Sequence, residues 1–582
     1  MKNTLRKIGL VLGILMVVAA LLGLSMLDDS LANGKQIAIE VPGDDTLVGF
    51  YYPGESENGV LLLEGFGSDQ TALRPIAADF ANRGYHVLTF DFSGHGRSPG
   101  GLDFDNASTD RMAKQVLAAD ARLKDLSGLS SDQITHLGHS LGARVALQAA
   151  TMTNTPPNTL ILLGTQVNLG TNQQAEFFTG TSDADLEWVQ ALGAANPRSD
   201  VILFSGTWDD ILTTEAANQL AQKLSESTKN SNNVANFLIL DPLRIVFLYP
   251  KLLHNYEIYT TAFEIPYRIF DQIDFLGTNP SIKDLDEKEK MLFLDKVAET
   301  EFKRIYGKPP SFNNLIMQIN GTIGYWVLGL AGLFLALISS IRLIERKETT
   351  SPEAKITKLG WFIGGKLLLW IPALIPGAVI ASAVFFTPLG TPAFNLYYIG
   401  FFGGYGVLMW FLYLKGRVPG VEGKLLLKGN PGADEKKAYL AGFVFLAVLL
   451  AVSLMARSGW WYTFPFTHRF IWLLVFTPIT ALGFMIGYKE IEIIQESQPL
   501  PGWLVWVNAL VGLFPFFVYT TFLAALGSIS GVVGSIQGLV ILALAICTGT
   551  LVEKISARPW LAAMLQAFLL YWLILPQGVL FR

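Results

Sequence analysis

The stretch Gly138-His139-Ser140-Leu141-Gly142 sets a serine between two glycines, directly after the apolar run 134–137 and ahead of a helical pattern. A hydroxyl on such a strand-to-helix turn is lifted clear of the sheet, because the flanking glycines let the backbone bend sharply against its neighbours. The positive end of the following helix favours negative charge developing there. A serine hydroxyl is a poor nucleophile near neutral pH. Covalent chemistry at Ser140 therefore requires an imidazole base and a carboxylate that orients it.

Six histidines can supply the base: His86, His95, His136, His139, His254 and His468. His86 and His136 stand in or beside strand-like runs, where a structural role is expected. His139 occupies the variable position before the serine and is expected to point away from the hydroxyl. His95 lies in the turn DFSGHGRS and reads as a loop-ordering residue, while His468 is far along the chain beside an apolar segment. His254, in LYPKLLHNYE, comes after the last strand-like run, from which an imidazole can reach over the sheet edge to a central serine. For the carboxylate, the run 201–204 leads into SGTWDDIL, so Asp209 and Asp210 are both candidates and Asp209 is preferred. An acid there can orient an imidazole from the next loop and stabilise the imidazolium that forms. A developing oxyanion needs two backbone donors. The expected pair is Leu141 N–H and Phe66 N–H, the latter in Leu63-Glu64-Gly65-Phe66-Gly67-Ser68, whose glycines permit close approach.

The elements that must hold these residues are short runs rich in Val, Ile, Leu and Phe at 36–41, 47–52, 60–63, 87–90, 134–137, 159–163, 201–204 and 245–249. Helical stretches at 72–83, 107–126, 143–151 and 215–225 lie between them. That alternation predicts an α/β domain over 35–275, a mostly parallel sheet with helices on both faces. Chemistry is then expected beyond the carboxyl ends of the strands.

Taken together, EGFG (64–67), DFSGHGRS (91–98), GHSLG (138–142), GTWDDIL (206–212) and LLHNYE (252–257) resemble the α/β-hydrolase superfamily, especially its branch of monoacylglycerol lipases, esterases and serine aminopeptidases. The order Ser140, Asp209, His254 is also that of the family, and the resemblance covers under half of the chain. It implies an α/β-hydrolase fold, a Ser-His-Asp triad with Gly138 and Gly142 framing the nucleophile elbow, and cleavage of small-molecule or lipid esters through an acyl-enzyme. Peptide cleavage and acyl transfer share that intermediate. One departure is Glu64, where the family usually has histidine; a buried carboxyl there needs partners or a proton. The other is the short insert 166–199, which implies an open site. A rival reading from another class is a membrane scaffold, sensor or transporter whose hydrolase-fold domain does not catalyse. The intact set of Ser140, Asp209 and His254 speaks against it.

Only 16% of the 582 residues are charged, against roughly 25% in soluble domains, so much of the chain belongs outside water. Residues 8–27 form an apolar run long enough to cross about 30 Å of hydrocarbon. Lys2, Arg6 and Lys7 before it hold the preceding end in the cytoplasm and direct the chain beyond residue 27 outward. Ser30-Leu31-Ala32 offers a small-x-small cleavage site, but an uncleaved anchor over 1–34 is favoured. Further apolar segments lie at 323–344, 359–385, 395–414, 438–456, 470–488, 503–525, 532–552 and 560–580. Lys and Arg crowd the loops at 342–358 and 415–437 and recur at Lys489, Lys554 and Arg558, leaving only Arg457 and Arg469 in the alternate turns. The asymmetry predicts nine spans in the cell membrane: an all-α polytopic domain over 321–582, with the hydrolase domain on the extracytoplasmic side.

The charged stretch 276–320 reads either as a stalk or as an exposed helix on the hydrolase, and the aromatic turn 458–462 as an interfacial anchor. Lys366 is expected to snorkel to the interface. With no acidic or histidine chain within the spans, an anchor, lipid-access surface or assembly platform is expected before an ion-coupled transporter. The net charge of −5 gives no basic footprint for nucleic acid. Cys547, the single cysteine, excludes an intrachain disulfide. No clustered His, Cys and carboxylate set calls for a metal or organic cofactor. The expected partners are the lipid bilayer and an ester substrate.

Overall fold

A computed structural model describes residues 2–27, 31, 33–82, 84–102, 107–165, 199–204, 220, 237–240, 312–344, 354–387, 389–392, 395–424, 435–456, 464–496, 503–525 and 529–581. The chain forms two compact units, one of residues 24–323, 458–462 and 579–582, the other of 1–23, 324–457 and 463–578.

The first unit is built on eight strands: β1 (Lys35–Ile39), β2 (Leu47–Tyr52), β3 (Gly59–Leu63), β4 (His86–Phe90), β5 (Ile134–His139), β6 (Thr159–Leu163), β7 (Asp200–Phe204) and β8 (Phe237–Leu240). They lie in the order β1-β2-β4-β3-β5-β6-β7-β8. β1 and β2 pair antiparallel, as do β2 and β4, and every later pairing is parallel. Composition explains this. β3, β5 and β6 are buried at every position, as parallel strands covered on both faces must be, whereas β1 exposes most of its length at the edge.

Helices α2 (Arg74–Asn82), α3 (Ala107–Ser127) and α4 (Leu141–Thr151) cover the sheet; α1 (Lys2–Leu27) lies mostly in the second unit. Leu61, Leu63, Leu88, Phe90, Leu160 and Leu162 share one core with Met112, Val116 and Leu123 of α3 and Val145 and Leu147 of α4. Each such fully buried side chain contributes about 1.5–3 kcal/mol. The opposite face is closed too: Val60, Leu62 and Val87 are fully buried, and Phe80 of α2 meets Tyr85 edge-on at 5.2 Å.

Seven of the eight strand-like runs coincide with strands. The eighth, 245–249, lies outside the described residues, as do most of the insert 166–199, the helical stretch at 215–225 apart from Leu220, the turn 458–462, and residues 276–311 of the expected stalk. β8 was not anticipated, because its four residues are too short a run to stand apart from the apolar segment after it.

The second unit contains most of α1 and, from residue 324 on, α5 (Phe312–Leu343), together with α6 (Leu359–Phe385), α7 (Leu396–Leu414), α8 (Glu435–Ala456), α9 (His468–Glu496), α10 (Leu504–Gly512), α11 (Phe514–Ala525), α12 (Ile529–Ser556) and α13 (Pro559–Ile574). Among the described residues seven helices are long and apolar enough to cross a membrane: α1, α5, α6, α7, α8, α9 and α12. α1 is packed within this unit. A Cβ at Gly13 would stand 2.6 Å from Gly332 O, so only glycine lets the two backbones approach this closely. On α6, Leu368, Ile371, Ile375 and Val379 recur at helical spacing and are each at least 66% exposed, an apolar stripe that water would penalise. Residues Ala354–Ile356 and Val421–Gly423 pair antiparallel, which brings the two lysine-rich loops together at one end of the unit.

Three expectations need correction. The segment 503–525 is broken: α10 ends at Gly512 and α11 starts at Phe514. Pro515 has no N–H to offer the Val511 carbonyl, and Trp370 Nε1 donates to that oxygen instead, at 2.9 Å. The segment 560–580 stops being helical at Ile574, ahead of Pro576 and Gly578. Finally, Lys366 does not snorkel. It is buried against Glu490, because α9 runs on to Glu496 and carries Lys489, Glu490 and Glu492 into the helical packing instead of leaving them in a loop.

Candidate active site

In the β3–β5 pair Leu63 lies opposite Gly138, so the loops leaving the two strands emerge side by side. The chain crosses from β3 to β4 on one side and returns to β5 on the other, and the crevice at such a switch point is where open α/β sheets bind ligands. Ser140 stands in that crevice, between the end of β5 and the start of α4, at φ +53° and ψ −115°. Among the described residues of this unit it is the one non-glycine at positive φ. Holding a serine there costs about 1–3 kcal/mol, and the surroundings enforce it. Ser140 N–H donates to Leu163 O at 2.8 Å, while Ala143 and Arg144 N–H close the first helical turn on Ser140 O at 3.1 and 3.2 Å. The preceding N–H of Leu141 has no carbonyl within the helix to reach.

The glycines are set by contact with backbone. A Cβ on Gly138 would lie 2.6 Å from Ala143 N, and one on Gly142 would lie 2.3 Å from Glu64 O and 2.5 Å from Leu63 O. A Cβ on Gly65 would reach His139 Nδ1 at 2.7 Å and Ser140 Cβ at 3.2 Å. The turn Gly65–Ser68, closed by Ser68 N–H to Gly65 O at 3.2 Å with Gly67 at φ +73°, therefore abuts the serine and carries Phe66 beside it.

Glu64, the departure from the family pattern, is fully buried, and its Oε1 accepts the Phe92 N–H at 2.9 Å. It thereby ties the Gly65–Ser68 turn to the loop after β4. That second loop is ordered from within. Asp91 accepts Gln70 N–H and Arg97 N–H, each at 2.9 Å, and Ser98 Oγ–H donates to Asp91 O at 2.6 Å. His95 is buried with Nδ1 3.2 Å from Ser93 O, a position suited to ordering the loop. His136 bonds Asp120 at 2.9 Å and His86 bonds the Tyr51 hydroxyl at 2.6 Å, both within the fold.

Sequence reasoning missed two contributors to this region. Val579 joins the core of the hydrolase unit; Leu580 N–H donates to Gly94 O at 2.9 Å and Leu102 N–H to Leu580 O at 2.8 Å. The Phe581 ring then lies 6.0 Å from that of Phe66. The Pro576-Gln577-Gly578 break was the available signal. The other contributor is Arg111 on α3, which bonds Asp44 Oδ2 at 2.7 Å, Gly101 O at 2.9 Å and Ser93 Oγ at 3.1 Å. Asp209, Asp210 and His254 lie outside the described residues.

Two carboxyls here give the unit a pH dependence. Burial pushes Asp44 upward, but bonds from Arg111, Gln115 and the Asp45 N–H outweigh it and hold the group below its ordinary value. Asp120 is likewise depressed: burial opposes, and His136 and Lys124 prevail. A carboxyl depressed on folding adds stability that is complete above its unfolded pKa of ~4 and is lost as pH falls through the folded value. Asp91, raised by burial despite the N–H groups of Gln70 and Arg97, works the opposite way. The melting temperature of the full chain is therefore expected to drop as the pH is taken from about 5 to about 3. An Asp44→Asn, Asp120→Asn variant, melting lower throughout, should lose part of that slope.

Residues 54–234 match the family described as serine aminopeptidase, S33. An uncharacterised protein of Mycobacterium tuberculosis is 33% identical over 140 residues, 23% of this chain and 46% of that protein. A serine hydrolase-like protein of Dictyostelium discoideum is 29% identical over 128 residues, 22% of this chain and 34% of that one. The chain thus spans less than half the length of the curated relatives it matches. Among solved structures, an esterase of Pyrococcus furiosus shares 18% identity over 48% of this chain and 94% of its own, at a TM-score of 0.34. The monoacylglycerol lipase of Paleococcus ferrophilus shares 16% over 34% and 88%, at 0.27. With the strand order β1-β2-β4-β3-β5-β6-β7-β8, Ser140 on the turn after β5, and the family match over 54–234, this chain carries a domain of the α/β-hydrolase superfamily, beside a helical region with several membrane-length helices.

Proposed function

We propose that the chain is a membrane-anchored serine hydrolase that cleaves carboxylic esters with Ser140, His254 and Asp209. The observation that carries this reading is the strained turn at Ser140 (φ +53°) with the Gly65 backbone pressed against it. Such strain is retained where it sets up a reacting group. His254 takes the hydroxyl proton as Ser140 Oγ attacks the ester carbonyl. Asp209 holds the imidazole in the required tautomer and stabilises the imidazolium. The oxyanion is received by the N–H groups of Leu141 and Phe66, at the positive end of α4. His254 then protonates the departing alcohol, and water activated by the same imidazole frees the acid and restores Ser140.

The apolar stripe of α6 and the seven membrane-length helices support a bilayer setting. The pairing of the two lysine-rich loops supports one cytoplasmic end, with the hydrolase domain assigned to the extracytoplasmic side. A site on a chain that also carries membrane-length helices fits an amphiphilic or lipid-linked ester. The test is turnover of an ester series of increasing acyl length by the full chain in detergent and in liposomes, with aminoacyl anilides alongside. Ester turnover is expected. Asp209→Asn should lower kcat about 10⁴-fold, as loss of the orienting carboxylate does in serine proteases, and Asp210→Asn should leave it nearly unchanged. Anilide cleavage without ester cleavage would make the domain a peptidase, and the reverse ranking of the two variants would move the acid to Asp210.

A further inference from the structure

The helical unit holds a buried polar cluster for which chemistry at Ser140 has no use. Lys366 on α6 and Glu490 on α9 are 2% and 1% exposed and form an ion pair. Asn508 on α10 accepts a second ammonium proton at 2.6 Å, and the Tyr413 hydroxyl on α7 donates to Glu490 Oε1 at 3.0 Å. Burying two opposite charges tends to cost more in desolvation than their attraction returns, and an apolar pair of similar volume often holds an interior at least as well. Packing is therefore a weak explanation for the cluster. Ionisable groups buried among membrane-length helices are candidate functional sites by default.

A cavity of ≈ 140 Å³ lies against the pair. Lys366, Glu490, Asn508, Trp370 and Tyr405 line it, and the wall continues over Phe402, Phe484, Leu542 and Ile546. Two hydrogen-bonding groups of residues that line this wall lack a full set of partners among the described residues. An ammonium has three protons, and Lys366 places one on Glu490 and one on Asn508, with the face of the Phe362 ring 5.5 Å away. The Tyr405 hydroxyl is buried without a hydrogen-bond partner, in a residue only 6% exposed whose ring stacks on Trp370 at 4.1 Å. A buried hydroxyl left unpaired is costly, so the surroundings of this cavity hold polar groups that packing alone does not explain. The backbone is opened here as well: Gly512 and Leu513, at the break between α10 and α11, line the same space. Interrupted helices are tolerated at membrane depth where they line a cavity.

We propose that this cavity binds a neutral, oxygen-bearing alkyl group, with its hydroxyl or carbonyl oxygen at Lys366 and its carbons against Phe402, Phe484, Leu542 and Ile546. The wall carries one positive and one negative charge, already paired, so an ionic guest would be buried without a counterion on that wall. The volume sets the size. A cavity of about 150 Å³ holds a molecule as large as benzene. The guest accordingly inserts about six non-hydrogen atoms, either the whole of a short alcohol or the end of an acylglycerol.

The experiment uses the full chain in phosphatidylcholine nanodiscs, irradiated with a diazirine-bearing octan-1-ol and mapped by peptide mass spectrometry. Label is expected on peptides containing Phe402, Phe484 or Leu542. Hexan-1-ol should displace it, whereas hexanoate and hexylammonium should not. Gly487 lines the cavity, and a Cβ there would meet nothing within 4 Å, so Gly487→Leu introduces an isobutyl group at a position with room for its first carbon. That variant should cut the labelling at least about tenfold, equivalent to 1.4 kcal/mol of lost affinity. Lys366→Met with Glu490→Leu, which removes both charges together, should do the same while the protein still unfolds cooperatively. Displacement by monohexanoylglycerol as well as hexan-1-ol would identify the guest as the end of a lipid, and displacement by hexan-1-ol alone as a free alcohol; both uphold the site. Label spread over exposed residues such as Leu368 and Ile375 and unaffected by Gly487→Leu, or equal displacement by the charged competitors, overturns it.

Discussion

Ser140→Ala is expected to remove ester turnover by about 10⁴- to 10⁶-fold in kcat while leaving the melting temperature of the full chain nearly unchanged. The rate loss stems from the absence of any other attacking group: binding and the oxyanion donors alone retain only a modest acceleration over water. The unchanged stability is a matter of geometry. Alanine keeps a Cβ, so the strain at φ +53° stays as it is, and the Leu163 carbonyl still receives the same backbone N–H. Ser140→Gly separates strain from chemistry. It should be equally inactive but more stable by about 1 kcal/mol, because glycine occupies that region without a steric cost. The measurements are initial rates on a short-chain ester and thermal unfolding of the three proteins side by side. A Ser140→Gly variant that melts below the alanine variant would show that the turn is not under strain.

Gly142→Ala should be one of the most damaging single methyls in the hydrolase unit. Its Cβ would fall 2.3 Å from Glu64 O and 2.5 Å from Leu63 O, atoms of the chain leaving β3 that cannot yield without disturbing the β3–β5 pairing. Overpacking against backbone costs about 3 kcal/mol, and the displaced segment carries Phe66, so activity should fall with stability. Gly128→Ala is the matching control: it stands at a positive φ, of 74°, but its Cβ would meet nothing within 4 Å. It should cost only about 1 kcal/mol and leave turnover intact. Protease susceptibility of the hydrolase unit in the full chain reads both outcomes, and similar sensitivity in the two variants would contradict the contact argument.

The features legible in the sequence were local ones. Ser140 and its two glycines are adjacent in the chain, and the reason glycine is needed there lies within five residues and one neighbouring strand. The strands β3, β5 and β6 announced themselves because burial on both faces leaves little room for polar residues. Features set by pairing between distant segments escaped. Lys366 read as a snorkelling side chain because Glu490 lies more than a hundred residues away, on a helix that the charges at 489–492 made look finished. Leu580 read as the end of an apolar segment because nothing near it in sequence discloses the Gly94 and Leu102 backbones it bonds. Glu64 carried a question, which group could partner a buried carboxyl, and the Phe92 N–H from the next loop is one answer. Asp209, Asp210 and His254 continue to rest on their order and spacing along the chain.

The proposal turns on whether the Ser140 hydroxyl is activated, and labelling of the purified full chain with a fluorophosphonate probe reads that directly. Wild type should be modified stoichiometrically on Ser140, with no label on Ser140→Ala and strongly slowed labelling of His254→Ala at unchanged folding. Folded wild-type protein that resists the probe, or modification that survives Ser140→Ala, would contradict it.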